Sequence, residues 1–337
     1  METLKITDSG LLSSIQDLGR YGYQRYGVSC SGVMDEYAAK IGNKLVGNNE
    51  GAAVIETTLK GISGKFLTDT MISVTGGQCD VFLNGEKIEL WKSHSVKAGD
   101  ILKMGFCKSG LRNYIAFSGG IDVPVVMNSR STNLKAKIGG FKGRKLMVND
   151  VICSFENLAK TEIMKLDENL IPQNSGEIEV RVILGQQCDY FTDAGIKTFF
   201  NETYTTTQDG DRMGIRLAGA EVEHIKGADI ISDGITFGAI QIPGNGQPII
   251  MMADRQTTGG YTKIGNVISV DLPKLAQGKP GTKVRFKEVF ENEAIRLMRE
   301  NDELINSENS YEIEGKKKVY SIVLQGKKVQ VEIERIK

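Results

Sequence analysis

Gln16-Asp17-Leu18-Gly19-Arg20-Tyr21-Gly22 and Gln208-Asp209-Gly210-Asp211-Arg212-Met213-Gly214 are two copies of one frame, Q-D-x-x-R-x-G. A pair of hydroxyl residues stands just ahead of each copy, Ser13-Ser14 and Thr206-Thr207. The recurrence reads as an internal duplication, two related halves in one chain. At 337 residues, 40% apolar and 25% charged, the chain has room for two ordinary domains, each with its own core.

Outward from the two frames the chain is glycine-rich, with 39 glycines against six prolines, and its apolar runs are short. Ile72-Ser73-Val74, Val81-Phe82-Leu83, Tyr114-Ile115-Ala116-Phe117, Val180-Arg181-Val182-Ile183-Leu184, Ile249-Ile250-Met251-Met252, Val267-Ile268-Ser269-Val270 and Val284-Arg285-Phe286 have strand length and β-branched enrichment. Asn84-Gly85 is a two-residue hairpin signal, because that turn needs positive φ at both central residues. The class is mainly β. Two units short of helices point to small closed barrels, since closure removes exposed edges, with an open sandwich as the alternative.

Few helices are expected. Met34, Ala38, Ile41 and Leu45 share a face at 3.6 spacing, with Ser31 as N-cap and Gly47-Asn48 as the stop. A second helix is predicted over 288–304, with Phe290, Ala294, Leu297 and Met298 on one side. The charged stretch 156–177 separates two strand-rich regions. It gives a first domain at 1–158, a second at 177–290 and a C-terminal extension at 291–337. That extension ends in a period-two hairpin, Val319–Leu324 and Val329–Ile333, around a turn at Gln325-Gly326.

Lys+Arg and Asp+Glu are 42 each, so no basic excess is present to displace counterions from a nucleic acid. Met1-Glu2-Thr3-Leu4-Lys5 leads into a polar segment, and no run approaches the ~18 apolar residues of a membrane span. A cytoplasmic protein with neither nucleic acid nor membrane as partner is expected. Cys30, Cys79, Cys107, Cys153 and Cys188 lie far apart without a C-x-x-C, which disfavours a disulfide framework and a zinc site; no metal is expected. His94 and His224 are the only histidines, and neither stands in a nucleophile context.

The chain contains no G-x-x-x-x-G-K-[ST], H-E-x-x-H, G-x-S-x-G or strand-linked G-x-G-x-x-G. What remains is Gln241-Ile242-Pro243-Gly244-Asn245-Gly246-Gln247-Pro248, the turn of a hairpin, and the run after it, Asp254-Arg255-Gln256-Thr257-Thr258-Gly259-Gly260-Tyr261. Arg255 offers a fork of donors for a carboxylate, carbamate or phosphate, with Asp254 to orient it or act as base. Thr257, Thr258 and the N–H groups of Gly259 and Gly260 can make an anion nest. The bland alternative is a tight turn beside a structural ion pair. In the repeated frame, Asp17 or Asp209 can make an Asx turn that Arg20 or Arg212 braces. Asp35 and Glu56 are further acidic candidates, although Asp35 equally suits the first turn of its helix.

Four blocks resemble a carboxyltransferase-like family that includes the C-type subunit of 5-oxoprolinase, the antagonist of a sporulation kinase inhibitor, and allophanate hydrolase subunit 2. They are Ser14–Arg20 with Ser31–Asp35; Ser118-Gly119-Gly120-Ile121 with Ser129-Arg130-Ser131-Thr132; Asp211-Arg212-Met213-Gly214; and Gly238–Gln241 through Asp254–Tyr261. The likeness runs from about residue 3 to 290, with Asn128 standing where the family pattern has Gly. It implies two cyclophilin-like β-barrel domains in a chain that works with two others, a B-type 5-oxoprolinase subunit, itself kinase-inhibitor-like, and an A-type hydrolase of the lactam-utilisation type. Together these would open 5-oxoproline to glutamate with ATP, which is bound at a partner or shared site. In related urea carboxylases a similar domain moves a carboxyl group from carboxybiotin to urea. Here no Met-Lys-Met context exists for covalent biotin on this chain. A third implied role is a non-enzymatic regulator binding a kinase-inhibitor protein. On this resemblance Arg255 binds the anion and Asp254 orients it. Asp211 and Arg212 share the cleft, and Gln241, Gln247, Thr257, Thr258, Gly259, Gly260 and Tyr261 contact substrate.

Overall fold

Strand Leu12–Gln16 carries the first copy of the frame to the edge of an antiparallel sheet. Its neighbours run in the order Val54–Thr58, Ile101–Phe117, Ser63–Phe66, Glu2–Asp8 and Val151–Cys153. In this computed structural model residues 1–156 and 162–314 are described in full, and 318–324 and 327–333 by their backbone. Strand Thr70–Leu83 runs along Ile101–Phe117 and also pairs with Glu86–Lys87 and Ser93–Val96, giving nine strands. The Asn84-Gly85 turn has φ of 53° and 87°, as read from the sequence.

The long pairing slips register three times between Gly76 and Val81, and such bulges bend a sheet. At the bend Gly76 has φ +102°, and a Cβ there would overlap the Arg112 carbonyl oxygen. The sheet curls around Leu4, Ile6, Ile15, Ile55, Phe66, Val74, Leu102 and Phe117 but does not close. The outer side of Leu12–Gln16 is taken instead by loop residues: Thr132 N–H donates to Ile15 O and Leu146 N–H to Ser13 O.

The second half does close. Its seven strands run Glu177–Leu184, Lys263–Val267, Ala239–Gln241, Ile249–Met251, Gly214–Ala218, Tyr204–Thr206 and Lys283–Glu288. A parallel pair, from Glu177↔Lys283 to Val182↔Glu288, seals the ring. Val180, Val182, Leu217, Ile240, Ile250 and Val284 point inward at alternate positions. Phe199 and Phe286 stack inside at 4.2 Å between ring centroids. The mainly β reading with two β units and few helices therefore holds, with one unit a closed barrel and the other an open, curled sheet.

Among the described residues there are four α-helices: α1 Glu36–Leu45, α2 Asp193–Asn201, α3 Leu272–Gln277 and α4 Glu291–Asn306. None is long and apolar enough to cross a membrane. The buried face of α1 carries Ala38, Ile41 and Leu45 as the spacing implies, but the N-cap is Asp35, whose Oδ1 accepts from Ala38 N–H at 2.9 Å. Ser31 sits instead at φ 57°, its hydroxyl accepting from Asn133 Nδ2. The chain between them is not helical, with Gly32 at φ 102° and Asp35 extended, and Ser31 has no amide to cap, because Val33 N–H is committed to Asp17 O and Met34 N–H to Glu56. Met34 lies ahead of α1 and packs with the second half's core.

Two further differences have local causes. Residues 269–271 leave the predicted strand as a 3-10 turn into α3, which has Pro at its start. The turn is anchored by buried Asp271, paired with Arg181 at 2.7 Å and Lys274 at 2.7 Å. Helix α4 begins at Glu291 rather than 288, since 283–288 is a barrel strand; Phe290 precedes it and is 73% exposed. Beyond α4, strand Tyr311–Ile313 pairs with Met164–Leu166 in the inter-half segment. Ile305 and Tyr311 pack with Ile41, Leu45 and Trp91 of the first half. The terminal hairpin pairs Lys318–Leu324 with Lys327–Ile333. The expected turn at Gln325-Gly326 and the boundary at 158 lie outside the described residues.

The bend at Gly76 gives a direct comparison with Gly85, whose φ is also positive but whose Cβ would meet nothing within 4 Å. Gly76→Ala is expected to lower the unfolding free energy by more than about 2 kcal/mol, from backbone strain plus overlap. Gly85→Ala should cost about 1 kcal/mol from strain alone. Denaturant titration of the two variants checks this; equal losses would contradict it.

Candidate functional site

The second copy of the frame ends a turn held by Asp211, whose Oδ1 accepts from Met213 N–H at 2.7 Å and Gly214 N–H at 3.2 Å. The turn aims Arg212 into the junction between the halves. Its Nε donates to Asp254 Oδ2 at 2.9 Å and its Nη2 to Asp254 Oδ1 at 3.2 Å and Gly32 O at 2.5 Å. Its Nη1 reaches Glu56 Oε1 on a strand of the first half. Asp254 N–H donates to Arg212 O, so backbone and side chain fix the same pair. Arg212 is 6% exposed and Glu56 2%. Burial alone would lower the Arg212 pKa, but Asp254 and Glu56 together raise it above its ordinary value.

The network continues through first-half side chains. Glu56 Oε2 accepts from Met34 N–H at 2.8 Å. Asp35 N–H donates to Tyr114 Oη at 2.9 Å, and Asp35 Oδ2 accepts from Gln277 Nε2 of α3 at 2.8 Å. Gln277 Oε1 accepts from the N–H groups of Leu111 and Arg112, while Arg112 Nη1 donates to Ala276 O. Burial lifts the Asp35 carboxyl to about 6, against the opposing hydrogen bonds from Ala38 and Gln277. Burial, then Glu56 and Asp35, hold Tyr114 well above its ordinary value.

Arg255 follows Asp254 but is not its partner, because the Asp254 carboxylate is spent on Arg212. The Arg255 guanidinium donates to Ile235 O at 3.1 Å and Met252 O at 3.3 Å, and its Nη2 lies 3.9 Å from Cys30 Sγ. It rests over the Phe237 ring at 5.3 Å. Among the described residues no carboxylate pairs with it. Burial lowers its pKa, with Cys30 and Tyr21 opposing. This is a desolvated cation facing neutral groups, a suitable receptor for an anion.

Gly259 and Gly260 make neither a nest nor a tight turn. Thr258–Tyr261 is an extended strand paired with Asp229–Gly234, so its N–H groups do not converge on one point. Gly259 instead leaves room for two side-chain ends: a Cβ there would lie 2.6 Å from Ile235 Cδ1 and 2.7 Å from Gln241 Nε2. Gln241 is 2% exposed and its Nε2 has no hydrogen-bond partner among the described residues. Ile235 thus joins Arg255, Gly259 and, by its N–H to Thr257 O, the start of the two-stranded flap formed by Asp229–Gly234 and Thr258–Tyr261. Thr258 and Tyr261 are exposed on that flap. Gln247 is elsewhere. In the turn ahead of strand Ile249–Met251 it clasps Gly219 through both amide atoms, at 2.8 and 3.1 Å, which is bracing and not a site contact.

The first frame is built differently from the second. Asp17 accepts from Gly19 N–H, the hydroxyls of Ser129 and Ser131, and Arg130 N–H, tying two of the sequence blocks together. In the second frame the turn-forming carboxylate is Asp211, and Asp209 is exposed. Arg112, Tyr114 and Gln277 escaped the sequence reading. None carried a distinguishing signal: Arg112 is one of three cationic residues on its strand, with Lys103 and Lys108. A cavity of about 620 Å³ between α1, α3, α4 and residues 172–179 touches the network only at Asp35 and Gln277; none of residues 254–261 lines it.

Arg212→Met leaves Glu56 and Asp254 buried without their cation, so a loss of about 3–5 kcal/mol is expected in denaturant titration; a loss below 1 kcal/mol would show that the pair is not buried in solution. Between pH 3.8 and about 6 the folded chain keeps an Asp35 proton that the unfolded chain has released. Stability from this group therefore falls as pH rises, by on the order of 3 kcal/mol. Asp35→Asn removes that dependence, so its stability relative to the parent should climb between pH 4 and 8, and parallel curves would contradict the assignment.

Residues 26–288 match the family described as carboxyltransferase domain, subdomain A and B. The chain is 37% identical to the C-type 5-oxoprolinase subunit of Haemophilus influenzae over 89% of this chain and 95% of that one. It is 34% identical to the C-type 5-oxoprolinase subunit of Escherichia coli over 87% and 93%. The crystal structure of the Kluyveromyces lactis urea carboxylase superposes with a TM-score of 0.85 at 29% identity, covering 93% of this chain and 30% of that one. The chain therefore belongs to the carboxyltransferase domain family.

Proposed function

We propose that the chain is the C-type subunit of an ATP-dependent 5-oxoprolinase. In this reading it hydrolyses 5-oxoproline to L-glutamate in complex with two other chains, a B-type subunit of the same enzyme and an A-type hydrolase of the lactam-utilisation type. One observation carries the reading: the likeness to the two C-type relatives runs nearly from end to end of both, whereas it occupies under a third of the urea carboxylase chain. The site chemistry supports it. 5-Oxoproline is a lactam with a carboxylate, and Arg255 is a buried cation without a carboxylate of its own among the described residues. Gln241 Nε2 is a buried donor without an acceptor among the described residues, suited to a lactam oxygen on which charge develops.

ATP is placed on a partner chain in this reading. The glycine pair that would cradle phosphates is extended and strand-paired, and neighbouring Lys263 is engaged with Asp233 at 2.6 Å. Strand Thr258–Tyr261 and Lys263 therefore offer no cradle for a triphosphate. A second reading, biotin-dependent carboxyl transfer to urea or a similar amide, is favoured by the superposition on urea carboxylase. It requires bicarbonate and a biotinylated partner.

Glutamate release from 5-oxoproline and ATP, with each of the three chains omitted in turn, tests the proposal. Loss of release without this chain is expected; full release without it, or dependence on bicarbonate and biotin, would overturn the assignment. In the complete system Arg255→Ala is expected to reduce turnover by about 10²–10³-fold. Arg255→Lys, which keeps the charge and loses the fork, should fall between the two.

A further inference from the structure

Between Asp122 and Asp150 the chain carries six cations and no carboxylate, although its charges balance overall. Two of the six are spent locally. Arg144 makes a two-bond pair with Asp150 at 2.7 Å, and Arg130 donates to Val123 O and stacks on Phe155. Lys135, Lys137, Lys142 and Lys145 are exposed, and among the described residues none of them pairs with a carboxylate. Elsewhere lysines find such partners: Lys60 with Asp8, Lys87 and Lys108 with Asp80, Lys165 with Glu89, Lys263 with Asp233. Four like charges on one loop repel one another, whereas a surface facing only water ordinarily intersperses the two signs.

The loop that carries the lysines has a fixed backbone. Asn133 and Ile138 exchange N–H to carbonyl bonds at 2.9 and 3.2 Å, and Gly143 N–H donates to Gly139 O at 2.8 Å. Phe141 packs against the first-half core. Buried Arg20 braces the loop from behind: Nε donates to Val126 O at 2.9 Å and Nη2 to Ser131 O at 2.7 Å, while a Cβ on Gly139 would overlap Nη2. The same brace supports the tight turn 126–129, where Met127 and Asn128 hold φ of 52° and 60°. Met127 and Val125 are exposed there. A methionine in the left-handed region with its side chain in water is unfavourable twice over. The loop also meets the junction between the halves: Asn133 Nδ2 donates to Ser31 Oγ at 3.1 Å, and Lys135 Nζ lies 3.9 Å from Met213 Sδ of the second frame.

We propose that loop 133–145 and turn 126–129 form a docking surface for an acidic face of a partner polypeptide, with Met127 seated among the partner's apolar groups and the four lysines facing its carboxylates. A phosphate ligand needs only the cations. An apolar tip beside them fits a polypeptide, whose interface sets an apolar centre inside a charged rim. The acidic chemistry of the partner follows from the lysines; its identity as one of the two other oxoprolinase chains rests on the oxoprolinase reading. Docked there, the partner reaches the junction at Lys135 and Met213, beside the candidate site. The lysines steer the encounter and Met127 holds the complex.

The test is isothermal titration of the full chain with the purified B-type chain and, separately, with the purified A-type chain. At least one should bind, and about ten-fold more weakly at high salt than at low. Reversing Lys135, Lys137, Lys142 and Lys145 to Glu should weaken that binding by at least about 30-fold. Reversing Lys65, Lys103, Lys197 and Lys287, which are also exposed, makes the same change in net charge and should weaken it by less than about three-fold. Met127→Gly separates docking from folding. Glycine relieves the left-handed strain, so this variant should melt no lower than the parent yet bind at least about ten-fold more weakly. Should the charge-reversed chain fail to fold, Met127→Gly decides the matter alone. Either variant binding as tightly as the parent overturns the surface and leaves the oxoprolinase reading in place. Binding of neither chain to the parent sinks that reading and the surface with it. ATP bound by the parent alone and lost on charge reversal would assign the lysines to nucleotide phosphates, and so overturn the polypeptide.

Discussion

The structure depends on one buried cation. Arg212 leaves the second half, enters the junction, and is held between Glu56 of the first half and Asp254 of its own. A buried pair of this kind adds little net stability compared with apolar packing, but removing one partner is costly, so it enforces one relative placement of the groups around it. The segment from Cys30 to Asp35 shows what is placed. Cys30 faces Arg255, Gly32 O accepts from Arg212, Val33 is tied to Asp17, Met34 fills the barrel core and Asp35 caps α1. A strip of first-half chain is thereby fixed against second-half side chains, and the candidate site exists only where the two meet.

The same constraint separates the two arginines of the repeated frame. Arg212 became the tie between halves because carboxylates stand on either side of it. Arg20 has two carbonyl acceptors, and among the described residues its Nη1 has none. The frame recurs in sequence but not in build: Arg212 is gripped by carboxylates from both halves, whereas Arg20 braces the loop at Val126 and Ser131. Asp254 illustrates the cost of reading neighbours in sequence as neighbours in space. It adjoins Arg255 in the chain yet grips Arg212, and this leaves Arg255 available.

Much of the fold was legible, for physical reasons. β-Branched runs of strand length between glycines marked most strands, and Asn84-Gly85 announced its turn because few other dipeptides tolerate its dihedral angles. Closure was not legible for the first half, because it turns on which segment reaches the outer side of Leu12–Gln16, a choice made by Thr132 and Leu146 far along the chain. Ser31 looked like a cap because composition cannot show that Val33 and Met34 are already committed elsewhere. Within the site, Arg255 and Gln241 were visible as polar residues at strand ends. Gly259-Gly260 misled, since glycines that admit a neighbouring side chain look the same as glycines that turn. Gln277 and Tyr114 had no local pattern, as their roles arise from contacts more than 75 residues away in sequence.

A double-mutant cycle between Glu56→Gln and Arg212→Met tests most directly whether this contact couples the halves. A coupling of about 1.5–3 kcal/mol in unfolding free energy is expected for charged groups in direct buried contact. Additive losses, with coupling within about 0.5 kcal/mol of zero, would contradict it and detach the site from the junction that is said to hold it.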